Sequence, residues 1–190
     1  MMLNLEDRVR WVPARFPDSI NLKTLFKYHE EHNCVKFVMA MGQWSAGNPL
    51  GKKAYLFHNF STSMSRVLHD IANLPSPESI GFQVYMRSIH RVPIRQLSSK
   101  CPPDDWRSPT VMDGYTYLAR KMVADIKMTD KIQYIDTRFI TDPLWDISHD
   151  WNHLPRLVSD VEAMYIIAAV MGDLPPSAVS KKSILQVVSS

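Results

Sequence analysis

The chain has little of what would place it in a specialised class of protein. Its two cysteines, Cys34 and Cys101, are too few for a disulfide framework and show no CxxC or zinc-binding spacing. The net charge of +3 comes without a run of Lys or Arg, which argues against a nucleic-acid partner. No apolar stretch approaches the roughly 20 residues of a membrane span, and the N-terminus lacks an apolar signal-peptide core. These absences leave an ordinary globular domain of enzyme size.

Hydrophobic periodicity predicts helices and strands that alternate along the 190 residues. The predicted helices cover 21–33, 54–74, 110–126 and 156–174, and the predicted strands cover 34–42, 79–89 and 131–140. Because these strands are apolar on both faces, the order predicts an α/β domain with a mostly parallel sheet. Three strands are few for such a sheet, so either residues 8–16 supply a fourth or the chain lacks part of a larger domain.

Polar and aromatic residues follow each of the three predicted strands. In an open parallel sheet, ligands bind outside the carboxyl ends of the strands, so these segments are the natural place for a site. The residues concerned are Gln43, Trp44 and Ser45 after the first strand, Arg87 and His90 after the second, and Asp146, His149, Asp150 and His153 after the third.

The segment from Pro143 to Pro155 contains two overlapping copies of an Asp-x-x-His pattern. A carboxylate that holds one imidazole nitrogen leaves the other nitrogen free to accept a proton, which is the chemistry of an acid–base pair. His149 and His153 are four residues apart and would share one face of a helix, so a metal site is a second interpretation. A solvated loop is the third.

The order of these motifs resembles the SGNH/GDSL hydrolase superfamily, and its PC-esterase-like branch in particular. The similarity lies in "FVMAMGQW", in "VYMRSIHRVP" and in "WDISHDWNHLP" before an apolar helix, and it spans about Cys34 to Gly172. It implies a partial flavodoxin-like three-layer sandwich with a mostly parallel sheet. Residues 1–175 would form that single domain, followed by a loosely ordered tail over 176–190.

The same resemblance implies roles for individual residues. Asp150 and His153 would be the catalytic pair, while Gly42, Gln43, Trp44, Arg87 and His90 would line the oxyanion or substrate site. Trp44 stands where the family has an asparagine, and losing one such donor costs about 3 kcal/mol of transition-state stabilisation. The implied activity is esterase or O-acyltransferase chemistry on acyl esters of carbohydrates, without a cofactor.

The family's nucleophile motif is missing from the chain. No Gly-Asp-Ser occurs in the sequence, so the expectation is either an N-terminal truncation or evolutionary loss of the serine, and the domain would then be inactive by itself. Two other functions stay open: a non-catalytic module that binds a glycan or a protein, and a metal-dependent hydrolase that uses His149 and His153.

Overall fold

A parallel β-sheet forms the centre of the protein. The computed structural model describes residues 17, 20–32, 36–47, 57–74, 82–91, 107–126, 131–147 and 153–172. Within them the strands are β1 (Lys36–Met39), β2 (Gln83–Arg87) and β3 (Ile132–Ile135), paired in parallel in the order β1-β2-β3. In the register of the sheet, Val38 pairs with Tyr85, and Tyr85 pairs with Gln133. The predicted α/β class with a parallel sheet is confirmed.

Helices connect and cover these strands. They are α1 (Leu22–His32), α2 (Gln43–Ala46), α3 (Phe57–Ala72), α4 (Pro109–Asp125), α5 (Arg138–Thr141) and α6 (Arg156–Met171), with a 3-10 segment over Asp142–Ile147. Ser108 caps α4, since its hydroxyl oxygen accepts a hydrogen bond from the Val111 amide at 3.2 Å. Gly172 ends α6 in the left-handed conformation that glycine tolerates. Within the described residues, no helix is long and apolar enough to cross a membrane.

The two faces of the sheet are covered unequally. The larger core joins β2 and β3 side chains such as Val84 and Tyr134 to α3 and α4, where Phe60, Met64 and Met112 are fully or almost fully buried. A smaller cluster joins Tyr85 and Ile135, on the opposite face, to Ala169 of α6. Burial of apolar area is the main favourable term in folding, so among the described residues the α3–α4 side contributes more to the stability than the α6 side.

Two predictions of secondary structure are wrong. The strand expected over 131–140 ends at Ile135, because the Asp136 carboxylate accepts from the Arg138 amide at 3.1 Å and turns the chain into α5. The loop expected after β1 instead contains the short helix α2, whose Ala46 amide donates to the Gly42 carbonyl at 2.8 Å. The possible fourth strand over 8–16 and the tail over 176–190 lie outside the described residues.

Candidate functional site

The carboxyl ends of the three strands bring polar groups from distant parts of the chain to one edge of the sheet. Gly42 and Gln43 follow β1, Ser88 and His90 follow β2, and Thr137 follows β3. Parallel pairing of the strands dictates this meeting, because all three strands point the same way. We call this region the strand-end edge.

A hydrogen bond between Gln43 and His90 joins the first two strand ends. The Gln43 side-chain nitrogen lies 3.2 Å from His90 Nε2, and both residues are half-buried. With the amide nitrogen as donor, the ring nitrogen accepts and carries no proton. The bond therefore holds a polar amide and an imidazole together at a position that solvent reaches.

Gly42 makes the approach of Gln43 to His90 possible. Its φ of 127° is a conformation that side-chain-bearing residues rarely adopt. A Cβ at this position would lie 3.1 Å from Ile89 Cδ1 and 3.1 Å from Tyr115 Cβ. The backbone between β1 and α2 thus packs closely on Ile89, just after β2, and on Tyr115 of α4, which fixes the backbone position of Gln43.

A hydrogen bond from Tyr115 of α4 holds α2 in place. Its phenol donates to the Ser45 carbonyl at 3.1 Å, and burial raises the pKa of Tyr115 to about 12. The phenol is therefore neutral at physiological pH and acts as a fixed donor. Ser45, only 2% exposed, and Ser88, only 1% exposed, are both closed off from a substrate.

A buried polar network lies between the strand ends and α6. Arg87 forms an ion pair with Glu162, and the Thr137 hydroxyl donates to the same carboxylate at 2.6 Å. The Ser88 hydroxyl oxygen in turn accepts from the Thr137 amide at 2.8 Å. Arg87, which the sequence suggests as a substrate contact, has α6 as its observed partner, and any contact with substrate stays a prediction.

A second ionic cluster lies beside the strand-end edge. Arg91 donates to both oxygens of Asp113, at 3.2 and 2.8 Å, and Arg138 reaches the same carboxylate at 3.3 Å. Arg91 also lies 3.5 Å from Asp142. A two-pronged arginine–carboxylate contact fixes geometry as well as charge, so the cluster ties the start of α4 to the segments after β2 and β3.

Removing the charge of Asp113 and removing that of Asp142 should change the free energy of unfolding by different amounts. Asp113→Asn should lower the free energy of unfolding at pH 7 by about 1 kcal/mol, because it weakens charge-assisted bonds to two arginines. Burial raises the pKa of Asp142 although Arg91 and Arg138 oppose that shift. Asp142→Asn should therefore cost less than about 0.5 kcal/mol, since it removes a charge that the fold disfavours.

The raised pKa of Asp142 also determines how the stability of the Asp142→Asn variant should depend on pH. A carboxyl whose folded pKa is raised binds its proton more tightly when folded, so its contribution to stability declines as pH rises from about 4. Urea unfolding at pH 4 and pH 7 should show the variant gaining stability relative to wild type at the higher pH. A relative loss at pH 7 would show that the arginine contacts outweigh burial.

His153, the predicted catalytic base, is exposed immediately before α6. Its predicted partner Asp150 lies outside the described residues, as does His149. Trp44 belongs to α2 by its backbone, while its side chain is not described. No group of three or more His, Cys, Asp or Glu in the described residues is arranged to hold a metal ion, which leaves the His149–His153 interpretation untested.

Sequence reasoning missed the residues that hold this edge together. Glu162 lies among apolar residues of α6, on the side that faces the sheet together with Val158 and Ala169. A lone acid on the inward face of an apolar helix is a signal for a buried partner, and Arg87 at a strand end is the matching cation. Asp113 gave no comparable signal, since an acid near the start of a helix is ordinary.

An open groove of about 420 Å³ lies elsewhere, between α3 and α4, and is lined by Ser65, Arg66, His69, Met122, Asp125 and Ile126. Its lining comes from the second halves of those helices and from Ile126 just after α4, and none of the strand-end residues contributes to it. The chain matches no protein-family model, and comparisons with curated proteins and with solved structures also give no match.

Proposed function

We propose that the chain is an SGNH-type, flavodoxin-like domain that binds acyl esters of carbohydrates at its strand-end edge. Gly42, Gln43 and His90 face the acyl group, and His153 paired with Asp150 is the acid–base unit. The observation that carries the proposal is the Gln43–His90 contact at 3.2 Å, which places an amide and an imidazole at the carboxyl ends of neighbouring parallel strands.

The polar groups at this edge suit an ester more than a charged ligand. Three cations lie nearby, Arg87, Arg91 and Arg138, and each is paired with a carboxylate. These three arginines therefore add no net positive charge to the edge. The amide of Gln43, which His90 holds in place, carries groups that can donate to an ester carbonyl and accept from sugar hydroxyls. A neutral, oxygen-rich ligand fits that chemistry.

His153 would take a proton from a nucleophile, with Asp150 holding the ring and stabilising its positive charge. The nucleophile is the part that this chain does not provide in the expected form. No Gly-Asp-Ser occurs in its sequence, and Ser45 and Ser88 are buried. Binding of the ester, with turnover only when a serine is supplied, is therefore the proposed activity of this chain.

Calorimetry with an O-acetylated xylo-oligosaccharide and its de-acetylated form tests the proposal. The acetylated ligand should bind at least about tenfold more tightly, since each 1.4 kcal/mol of added contact is a factor of ten. Gln43→Ala and His90→Ala should remove that preference. His69→Ala, an exposed change on α3 beside the open groove, is the matched control and should keep it.

Calorimetry, ester hydrolysis and metal analysis together separate the proposal from its alternatives. Equal affinity for the two ligands would mean a plain glycan-binding module, and no binding to either would refute the proposal. Hydrolysis of p-nitrophenyl acetate should be no faster with wild type than with His153→Ala. Stoichiometric zinc or iron, together with hydrolysis that EDTA abolishes, would instead support the metal-dependent alternative.

A further inference from the structure

Helix α6 presents apolar side chains to solvent as well as to the sheet. Its inward side chains, Val158 and Ala169, are buried. On the other side Leu157, Met164 and Met171 are 75%, 70% and 66% exposed, and Val161 and Ile167 are also exposed. We call these five side chains the α6 outer face: Leu157, Val161, Met164, Ile167 and Met171. A helix face in contact with water normally carries charged and polar residues, so this one is suited to a partner.

The spacing of the outer face fits a second helix. Leu157, Val161, Met164 and Met171 follow one another at intervals of four, three and seven residues, which is the 3.5-residue period of paired helices. Leu157 and Met171 lie seven residues to either side of Met164. An antiparallel copy with its two-fold axis at Met164 therefore sets Leu157 of each helix against Met171 of the other.

We propose that the α6 outer face binds the same face of a second copy of this chain, in an antiparallel, two-fold symmetric dimer. A symmetric interface must be complementary to itself, and the arrangement about Met164 meets that condition. The exposed ring of Phe139, which packs on Tyr165 of α6 at 4.9 Å between centroids, extends the apolar area. The inference does not depend on the acyl-ester function.

The charges of α6 favour the antiparallel direction. Arg156 is in the first turn, where the helix dipole disfavours a cation, and it pairs with Asp160 of the same helix, at 3.7 Å. With the two side chains 94% and 61% exposed, that pair is weak and leaves Arg156 able to make a second contact. The last turn of α6 contains no basic residue of its own. Lys36 donates to the Val170 carbonyl at 2.6 Å from the sheet side. In the antiparallel dimer, Arg156 of one copy comes near the last turn of the other, where a cation is favourable.

Sedimentation velocity over a dilution series of the full chain tests this dimer. Wild type should sediment as a dimer at about 100 μM and dissociate on dilution, as expected for a modest helix–helix interface. Met164→Glu should be monomeric throughout the series, because it places two carboxylates at the two-fold axis. Tyr117→Glu is the matched control: Tyr117 is 63% exposed on α4, and its replacement should leave the dimer intact.

Three further variants test the symmetry and the direction of the dimer. With Cys34→Ser and Cys101→Ser in the background, Met164→Cys should form a disulfide-linked dimer on mild oxidation, whereas Ser159→Cys should not. Arg156→Glu should weaken dimerisation roughly fivefold, since the change acts at both ends of the interface.

A monomeric wild type at every concentration would refute the proposal, as would a dimer that Met164→Glu leaves intact. Association of a monomeric chain with phosphatidylcholine vesicles, lost in Met164→Glu, would refute it too and would assign the face to a lipid surface. Unchanged thermal unfolding of Met164→Glu at a concentration where wild type is monomeric would show that the variant folds.

Discussion

Replacing Glu162 with alanine is expected to lower the free energy of unfolding by about 3 kcal/mol, because the change leaves Arg87 inside the fold without its counter-charge. The two side chains are only 10% and 17% exposed, so water cannot fully replace the lost partner. Thr137 also loses the acceptor for its hydroxyl. Urea unfolding at pH 7 measures the difference.

An exposed pair on the same helix is the control for Glu162→Ala. Arg156 and Asp160 lie 3.7 Å apart with side chains that are 94% and 61% exposed, so Asp160→Ala should cost at most about 0.5 kcal/mol. A combined Arg87→Met and Glu162→Leu variant should regain much of the loss, since apolar side chains need no counter-charge. A cost below about 1 kcal/mol for Glu162→Ala would mean that the ion pair does not anchor α6.

Replacing Gly42 with alanine is expected to cost about 3 kcal/mol and to weaken the Gln43–His90 contact at the same time. The strained φ of 127° costs about 1–3 kcal/mol for a residue with a side chain. The added methyl group also meets Ile89 Cδ1 and Tyr115 Cβ at 3.1 Å, so the backbone has to move. Chemical denaturation gives the stability, and the NMR signals of the His90 ring report the contact.

Gly172→Ala separates backbone strain from steric contact. Gly172 has a φ of 84°, and a Cβ there would meet nothing within 4 Å, so only the strain of about 1 kcal/mol is expected. Equal losses in the two variants would show that the packing of Ile89 and Tyr115 around Gly42 is loose. A loss at Gly42 with the His90 signals unchanged would show that Gly42 does not position Gln43.

The spacing of apolar residues was sufficient to predict most of the helices and strands, because those residues form the face of each element that packs on the core. The predicted helix over 54–74 corresponds to α3, whose Phe60, Met64, Leu68 and Ile71 recur at helical spacing and are fully buried. The strand predicted over 79–89 contains β2. Pattern failed at the end of β3, where Phe139 and Ile140 continue the apolar run and the Asp136 side chain ends the strand.

The supports of the strand-end edge were harder to predict than the edge itself. Parallel strands imply that residues after different strands meet, so Gln43 and His90 could be named from the order of elements. The partnership of Arg87 with Glu162 depends on where α6 lies relative to β2, which is set by tertiary packing across 75 residues of sequence. The sequence pattern marks Glu162 as an acid that needs a buried partner, but it does not determine which cation lies opposite it in the fold.

Amide chemical-shift mapping by NMR, with the acetylated and de-acetylated oligosaccharides, tests the location of the ester site most directly. The acetylated ligand should shift the signals of Gly42, Gln43 and His90, and the de-acetylated ligand should shift them much less. Shifts that concentrate instead at His69 and Met122, in the groove between α3 and α4, would contradict a strand-end site. Equal shifts of the strand-end signals with the two ligands would also contradict the account, because they would show that the site does not recognise the acyl group.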